Sequence, residues 1–405
     1  MPWKATSVID QRTSFVLAYR KQVLTGERTM SALCAEHGVS RKTGYKLVAR
    51  HLESGWPGLQ DRSRAPHSGK HWEAPETIST VLDVRTAFPT WGARKIIAYL
   101  RDIEPEQQWP AASVAHEWIK RAGMIEPHVR ARRFSHPGRP PAVPIERANQ
   151  QWSTDFKGHF RTRDGRYCYP LTVADSFSRF IIGCQALPST SFELTWSVFE
   201  KLFREYGLPD AILSDNGTPF SSNSVKRLSK LSVRWIRLGI EPRLIQPGKP
   251  QQNGRLERMH RTLKAEACAD PAANLRRQQT QFVRFVEEFN HVRPHESLGQ
   301  KPPVRVYTSS SRQYPRHLPP MEYSTHCEVR RVRSSGEIKW RGQWFFVSEA
   351  LVGEQVGFEP VDDETFVLRF GRYELGYYSA RERRLHLDRT RPPREPRIEQ
   401  PTDQP

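Results

Sequence analysis

The sequence predicts a multidomain protein: all-α helix-turn-helix domains at the N-terminus, an α/β domain in the middle and a small β-barrel near the C-terminus. Three observations lead to this prediction. The length of 405 residues is enough for about two to four domains of ordinary size. Apolar residues recur at helical spacing before residue 126, and strand-like and helix-like stretches alternate from 150 to 300. Short apolar runs broken by turn residues fill 325–386.

The charge of the chain indicates a polyanionic partner. Its 63 Lys and Arg residues outnumber 44 Asp and Glu residues, which gives a formal net charge of +19. Nucleic acid is the commonest partner of so basic a chain. A membrane surface is the competing interpretation, but no amphipathic basic helix dominates. No apolar run approaches the roughly 18 residues of a membrane span, so integral membrane topology is excluded.

The cysteines and the N-terminal residues indicate a reducing compartment of the cell. The five cysteines are far apart and form no C-x-x-C pair. This spacing argues against a disulfide framework and against a cysteine-rich zinc finger. The N-terminal residues also lack the apolar segment of a signal peptide. We therefore expect a reducing, cytoplasmic location in which the protein is associated with the nucleoid.

A helix-turn-helix domain is predicted at residues 1–60. A short helix at 30–37 ends near Gly38, which favours a tight turn, and Ser40 can cap the helix that follows. The second helix of such a pair enters the major groove of DNA. Its accessible positions carry the predicted DNA contacts Arg41, Lys42 and Lys46. The alternative is an ordinary three-helix bundle with solvated lysines.

A second helical DNA-binding domain is predicted at 75–126, after a segment rich in Pro, Gly and Ser. It is interpreted as another helix-turn-helix, and a small helical spacer is the alternative. Within P-T-W-G-A-R-K-I at 89–96, the predicted DNA contacts are Arg94 and Lys95. Residues 127–149 form a basic linker that Pro and Gly keep extended, either along a phosphate backbone or simply in solvent.

Residues 150–300 are predicted to form a mixed α/β sheet covered by helices. Three strands come first, with a hairpin turn at Asp164-Gly165, and helices and strands then alternate. The predicted strands cover 152–160, 167–174, 180–187, 211–217 and 243–250. The predicted helices cover 191–207, 224–231, 253–267 and 274–295.

The last part of the chain is predicted to fold separately. Turn pairs such as Ser335-Gly336 and Asp362-Asp363 divide 325–386 into short strands, which predicts the small β-barrel. Residues 387–405 are charged and rich in Pro, which predicts a disordered tail.

Three acids in the α/β domain occupy positions that suit a catalytic centre. Asp155 lies within an apolar strand, where a carboxylate is costly to bury unless it is paired or binds a cation. Asp215 ends a later strand, and Glu257 lies on the helix after a P-Q-Q-N-G loop. If the two strands are neighbours, the three carboxylates can converge, and Mg²⁺ would relieve their repulsion. Two such ions can catalyse reactions of phosphodiesters.

Four blocks of sequence around these acids resemble those of a known family. They are W-S-T-D-F-K-G at 152–158, A-D-S-F-S-R at 174–179, L-S-D-N-G-T-P-F at 213–220 and P-Q-Q-N-G-R-L-E-R-M-H-R-T-L-K at 250–264. With the segment at 89–96, they make the chain similar to bacterial insertion-sequence transposases of the retroviral-integrase-like DDE superfamily. The resemblance implies an integrase catalytic core with a ribonuclease H-like fold.

The resemblance also implies roles for the acids. Asp155, Asp215 and Glu257 would be the catalytic residues and the ligands of two Mg²⁺ ions, with Mn²⁺ as a substitute. Because the gap between Asp215 and Glu257 is longer than in the retroviral branch, Glu241 and Glu266 are the alternatives for the third acid. The remaining acid of the second block, Asp175, suits the shaping of a turn better than metal binding.

The helix that carries Glu257 is also expected to hold DNA. Arg261 and Lys264 lie four and seven residues after Glu257, so they share its face, unless this is only a solvated basic helix. His260 could polarise a phosphate or merely pack. The DNA contacts predicted for this region are Lys249, Arg258, Arg261 and Lys264.

Together these observations predict a DNA transposase. Its N-terminal domains would bind the terminal inverted repeats, and its core would expose a 3′-hydroxyl and join it to target DNA. The partners are therefore double-stranded DNA of the element ends and of the target, and a homo-oligomer is expected because two ends must be held together. The need for a partner ATPase is left open. The alternatives are a non-catalytic DNA-binding regulator derived from a transposase and a metal-dependent nuclease.

Overall fold

A computed structural model describes residues 7–61, 74–125, 144–246 and 250–387. The chain divides into two compact units, Met1–Glu73 and Ala74–Pro405. Lys249, most of the predicted linker at 127–149 and the predicted tail beyond residue 387 lie outside the described residues. None of the helices in the described part of the chain combines the length and the apolarity needed to cross a bilayer.

Over the described residues 7–61, the α-helices of the first unit are α1 (Val8–Ala18), α2 (Met30–Glu36) and α3 (Arg41–Ser54). Gly38 adopts a φ of +62° in the turn between α2 and α3. The Ser40 hydroxyl accepts a hydrogen bond from the Thr43 N–H at 3.2 Å, which caps α3. The helices α2 and α3 and their turn therefore lie where the sequence predicts them.

A glycine inside α3 permits the close packing of this unit. A Cβ atom at Gly44 would meet Cys34 Sγ at 2.5 Å and Phe15 Cζ at 2.9 Å. A glycine costs about 1 kcal/mol in a helix interior relative to alanine, but a larger residue here would overpack the core. The buried side chains around it include Phe15, Val16, Leu33, Leu47 and Val48.

The second unit begins with three more helices: α4 (Pro75–Ala87), α5 (Ala93–Ile103) and α6 (Ala112–Arg121). Their apolar faces enclose a core that contains Trp91, Trp109 and Trp118. Trp91 stacks on Phe88 with the ring centroids 4.1 Å apart. The P-T-W-G segment before α5 thus contributes to the packing of these helices.

The mixed sheet predicted from the sequence is present in this unit. Its strands are β1 (Gln151–Phe156), β2 (Phe160–Arg161), β3 (Tyr167–Asp175), β4 (Ile181–Leu187), β5 (Ala211–Ser214) and β6 (Glu241–Leu244). The strand β3 pairs antiparallel with β1, β2 and β4. The strand β5 lies parallel to β1, and β6 lies parallel to β5. This topology puts β1 and β5, the strands near the first two candidate acids, next to each other.

In the described part of this unit, the helices that pack against the sheet are α7 (Phe192–Tyr206), α8 (Lys230–Arg237), α9 (Gly254–Leu263) and α10 (Leu275–His291). The helices α7 and α8 share a core with Trp152 and Ile212. The helices α9 and α10 share another with Cys168 and Ile181. The strand β1 is therefore positioned by its two neighbours in the sheet and by the helices that cover it.

The helix predicted at 224–231 is wrong in its position. A 3₁₀ turn occupies Val225–Arg227, and Lys226 has a φ of +51°. The helix α8 starts only at Lys230, because the Ser229 hydroxyl caps it by accepting the Ser232 N–H at 3.2 Å.

The C-terminal strands form an open sheet, so the predicted small β-barrel at 325–386 is wrong. The strands are β7 (Glu328–Arg331), β8 (Glu337–Trp340), β9 (Gln343–Phe346), β10 (Gln355–Pro360), β11 (Thr365–Phe370), β12 (Tyr373–Ser379) and β13 (Arg384–Leu387). Five of them run in the order β13-β12-β11-β10-β7, and within the described residues the edge strands β13 and β7 do not pair.

A hairpin covers this open sheet and removes the need for closure. The strands β8 and β9 pair only with each other among the described strands. Trp340 of β8 stacks on Phe358 of β10 with the ring centroids 4.0 Å apart. Val233 and Ile236 of α8 belong to the same core. The hairpin and α8 therefore bury apolar residues that a closed barrel would bury in its interior.

Candidate active site

The sheet brings the first two candidate acids to matching positions. The strands β1 and β5 are parallel, with Ser153 opposite Leu213. Continued for two residues beyond these pairs, the same register brings Asp155 and Asp215 to corresponding positions, and Asp215 is near enough for its charge to act on Asp155. Side chains at matching positions of parallel neighbours lie on the same face of a sheet. The distance between these two acids is therefore set by the backbone pairing of the strands.

The third candidate acid lies across a cleft from β1. Glu257 is exposed in the first turn of α9. It borders a cleft of about 420 Å³ whose other side is formed by Asp155. The lining residues of this cleft are Asp155, Phe156, Lys157, Gly158, Glu257, His260, Arg261 and Lys264. Two acids and three basic side chains thus line the same cleft. The acids could bind cations, and the basic side chains could contact the oxygens of a phosphodiester.

The environment of Asp155 disfavours its charged form. The pKa of this carboxyl is raised to about 7, first by burial and then by the negative charge of Asp215, with a smaller effect of Glu257. The backbone N–H of Phe156 and the charge of Lys157 act in the opposite direction. A carboxyl in this position gains from a nearby cation, which would offset the repulsion of the other acids.

The backbone next to Asp155 is held by a buried histidine. The Thr172 hydroxyl donates to the Asp155 carbonyl oxygen at 3.0 Å, so the Thr172 oxygen accepts a hydrogen bond from His260 Nε2–H at 2.7 Å. The pKa of His260 is lowered to about 3, mainly by burial, so its other ring nitrogen carries no proton. That nitrogen, Nδ1, lies 3.9 Å from Asp155 Oδ2. Of the two roles predicted for His260, the structure shows packing and support of β1.

The raised pKa of Asp155 predicts a stability change with pH. Between its ordinary value of 3.8 and about 7, the folded protein keeps a proton that the unfolded chain has lost, so stability falls as pH rises through this window. In a chelator, we expect Asp155→Asn to raise the unfolding temperature at pH 8 by about 2–4 °C, the shift that about 1 kcal/mol produces in a large domain. At pH 4 the two proteins should unfold alike. Thermal unfolding at both pH values measures this, and equal unfolding temperatures at pH 8 would contradict the raised pKa.

The candidate acids have the oxygen donors that a hard cation requires, but their side chains are not arranged as a complete metal site. Carboxylate oxygens are the donors that Mg²⁺ prefers. Within the described residues, however, no group of three or more His, Cys, Asp and Glu side chains is arranged to hold a metal ion. The charge of Asp215 raises the pKa of Asp155, and the charge of Glu257 does so more weakly.

The other acids considered from the sequence have partners elsewhere. Glu241, at the start of β6, pairs with Arg243 at 2.8 Å. Glu266 pairs with Arg293 at 2.7 Å. The buried carboxylate of Asp175 accepts hydrogen bonds from Ser178 in its own turn and from the Asn149 N–H. These positions favour Glu257 as the third acid.

The nine predicted DNA contacts fall into four groups. Arg41, Lys42 and Lys46 are exposed along α3 in the first unit. In the second unit, Arg261 and Lys264 line the cleft, and Arg258 is exposed on the same helix. Lys249 lies outside the described residues.

The remaining two predicted contacts, Arg94 and Lys95, lie against the α/β part of the unit. Arg94 pairs with Glu296 at 3.3 Å. Burial lowers the pKa of Lys95 to about 8, and the charge of Arg293 adds to this effect. Lys95 is partly buried at this contact, which favours a role in docking over a role in DNA binding.

Sequence reasoning missed two residues at this site. Lys157 lines the cleft beside Asp155. It lies two residues after Asp155 on a strand-like segment, a spacing that would have placed both side chains on one face. Thr172, which links His260 to the Asp155 carbonyl, gave no signal because its role depends on the pairing of β1 with β3.

Family models match three parts of the chain. Residues 145–250 match a model described as an integrase core domain, and residues 238–303 match a second model with the same description. Residues 12–86 match a model described as the leucine zipper of insertion element IS481. The two integrase core matches together include all three candidate acids.

Curated relatives resemble the same part of the chain. The Gag-Pol polyprotein of baboon endogenous virus (strain M7) is 33% identical over 116 residues, which are 28% of this chain and 6% of that protein. An insertion element IS476 protein of 39.2 kDa from Xanthomonas euvesicatoria is 27% identical over 159 residues, which are 39% of this chain and 44% of that protein. The chain thus spans less than half the length of these relatives.

Solved structures with some similarity include an integrase core domain and a chain of an intasome complex. The catalytic core domain of the HTLV-2 integrase, solved in complex with magnesium, is 15% identical, with a TM-score of 0.32 over 40% of this chain and 98% of that one. A chain of the simian T-cell lymphotropic virus intasome, solved with a PP2A regulatory subunit, is 16% identical, with a TM-score of 0.35 over 73% of this chain and 97% of that one. Scores this low do not establish a common fold.

Proposed function

Because the chain belongs to the superfamily of insertion-element transposases and retroviral integrases with an integrase core domain, we propose that it is a DNA transposase. Its α/β part would be a ribonuclease H-like catalytic core, and Asp155, Asp215 and Glu257 would be its catalytic residues. The observation that carries the proposal is the shared register of Asp155 and Asp215, with Glu257 on the cleft that Asp155 lines.

The three carboxylates would hold two Mg²⁺ ions, and Mn²⁺ would serve as a substitute. Bound there, the ions would neutralise charge on the phosphate oxygens and act as Lewis acids. The chain itself contributes the positions of the acids, because β1 and β5 fix the first two. Lys157, Arg261 and Lys264 bring positive charge to the same cleft and would orient the DNA backbone.

The proposed reaction has two steps at phosphodiester bonds. In the first, water attacks a phosphorus atom at the element end and the 3′-oxygen leaves, which yields a 3′-hydroxyl and a 5′-phosphate. In the second, that hydroxyl attacks a phosphodiester of target DNA and the target 3′-oxygen leaves with the proton. The number of phosphodiester bonds is unchanged in the second step, so the chemistry needs no ATP.

The remaining parts of the chain would bind and arrange the DNA. The exposed basic residues of α3 would contact the terminal inverted repeats, as the turn between α2 and α3 and the charge of this surface suggest. A homo-oligomer would hold two element ends together. The chain would act where chromosomal DNA is, in the nucleoid of the cytoplasm.

A joining assay tests this function. Purified protein is incubated with Mg²⁺, labelled DNA from each side of its own gene, and an unlabelled plasmid. We expect labelled ends to be nicked and then covalently joined to the plasmid, and Mn²⁺ to support the same products. Nicked ends without joined products would instead indicate a nuclease. Binding with neither product would leave a DNA-binding regulator.

A further inference from the structure

Two arginines from different parts of the core meet at one backbone oxygen. The Ser176 carbonyl accepts a hydrogen bond from Arg179 Nη1 at 2.5 Å and another from Arg255 Nη1 at 2.8 Å. Arg179 follows β3, and Arg255 lies in the first turn of α9. Because both bonds end on one atom, the two guanidinium groups lie within a few ångströms of each other.

A buried acid builds the turn that holds one of these arginines. Asp175 is 1% exposed, and its carboxylate accepts the Asn149 N–H at 2.8 Å. It also accepts the Ser178 N–H at 2.8 Å and the Ser178 hydroxyl at 2.6 Å. Arg179 follows with a φ of +66°, a left-handed conformation that non-glycine residues adopt only when the surroundings impose it. The turn formed by the A-D-S-F-S-R block therefore determines the position of Arg179.

A third arginine adds to the positive charge at this place. The pKa of Arg179 is lowered to about 10, first by burial and then by the charges of Arg255 and Arg258. The charge of Asp175 acts in the opposite direction but has the smallest effect, and its carboxylate is already used inside the turn. Arg258 lies three residues after Arg255 on α9, so the positive charge of all three arginines is directed to one region of the surface, and an anion bound there would offset their repulsion.

We propose that Arg179, Arg255 and Arg258 form a binding site for a phosphate group of the DNA backbone. Guanidinium groups match phosphate oxygens with paired hydrogen bonds, which is why clustered arginines recognise phosphate. None of the three lines the cleft at Asp155, so in the described structure this phosphate is separate from the reacting one. The proposal rests on the proposed function only in taking DNA as the polyanion.

The role of this site would be to hold the strand in register with the acids. Arg255 and Arg258 flank Glu257 in the sequence and lie on the same helix, α9. A phosphate bound by them and by Arg179 would tie α9 to the end of β3. The site therefore joins DNA binding to the position of the third candidate acid.

Salt-dependent DNA binding without divalent ions tests the proposal. The full-length chain is titrated with a short fluorescent duplex in EDTA, so that catalysis plays no part, and anisotropy is recorded at several NaCl concentrations. For Arg179→Gln and for Arg258→Gln we expect about 3- to 10-fold weaker binding. The slope of log affinity against log salt should become shallower by about 1, as expected for the loss of one phosphate contact.

Two controls and the second test variant make the result specific. Arg284→Gln removes the same charge from an exposed position on α10 and should bind like the wild type. Arg179→Lys keeps the charge and should recover most of the salt slope. Arg258 is exposed, so its variant remains informative if the Arg179 variants unfold at a lower temperature.

The outcomes separate this site from the proposed function. Unchanged affinity and slope in the Arg258→Gln variant and in a folded Arg179→Gln variant would overturn the phosphate site, even if the wild type joins DNA ends. A lowered slope in these variants would support the site, even if the wild type forms no joined product with Mg²⁺. An equal loss of DNA affinity in Arg284→Gln would also overturn the site, since the effect would then arise from the removal of any surface arginine.

Discussion

Replacing Asp155 with asparagine is expected to reduce both strand cleavage and strand joining by about a thousandfold or more. The substitution removes the negative charge at the base of the cleft and leaves the shape of the side chain nearly unchanged. Without that charge the site loses an oxygen ligand for the cation, and removal of one group that stabilises transition-state charge alone costs about 10²–10³ in rate. DNA binding in EDTA should stay within about twofold of the wild type.

Matched variants make this result specific. Asp270→Asn makes the same chemical change at an exposed residue that pairs with Arg163, and it should retain wild-type activity. Glu257→Gln should be as inactive as Asp155→Asn, whereas Glu241→Gln should stay active because Glu241 pairs with Arg243 at the other end of the sheet. Joined products from Asp155→Asn, or an inactive Glu241→Gln beside an active Glu257→Gln, would refute the assignment of the acids.

Replacing Arg293 with alanine is expected to lower the free energy of unfolding by about 3 kcal/mol, the cost of breaking a buried ion pair. The Arg293 side chain is 6% exposed and pairs with Glu266 at 2.7 Å. It also donates a hydrogen bond to Thr90 at 3.4 Å, while Thr90 contacts Glu266 directly. Arg293 therefore joins the helical part of the second unit to the α/β part through one buried charge.

Chemical denaturation of the full-length chain measures this loss. The midpoint should fall clearly for Arg293→Ala, whereas Arg284→Ala, at an exposed position of α10, should change the free energy by less than about 0.5 kcal/mol. An unfolding curve for Arg293→Ala that coincides with the wild type would show that the pair adds nothing to stability. The joined helical part should also become more accessible to proteases in the variant.

The sequence predicted the α/β part well because its signals are local and agree with one another. The alternation around Asp155, the turn at Asp164-Gly165 and the amphipathic spacing of 191–207 each predict one element, and the elements together allow few arrangements. The placement of Asp155 opposite Asp215 then follows from the pairing of β1 with β5. A family resemblance added roles that the spacing alone left open.

The errors arose where long-range packing decides the outcome. Short strands with turn residues are equally compatible with a closed barrel and with an open sheet, and here the β8–β9 hairpin and α8 share the core of the open sheet. The prediction of a helix at 224–231 did not consider Ser229, which caps a helix that begins at Lys230. The DNA contact predicted at Lys95 stays a prediction, although periodicity could not reveal that this side chain is partly buried.

The candidate acids are held by two different kinds of element, strands and a helix, and this difference affects how the activity of the protein can be altered. Asp155 and Asp215 are carried by adjacent strands of one sheet, so their separation changes only if that sheet is rebuilt. Glu257 is carried by the ten-residue helix α9, which is held to the sheet by side-chain packing and by the His260–Thr172 hydrogen bond, not by backbone pairing. Substitutions or small molecules that shift α9 slightly should therefore lower the turnover rate by amounts that depend on the size of the shift. Substitutions that disrupt the pairing of β1 with β5 should instead abolish turnover.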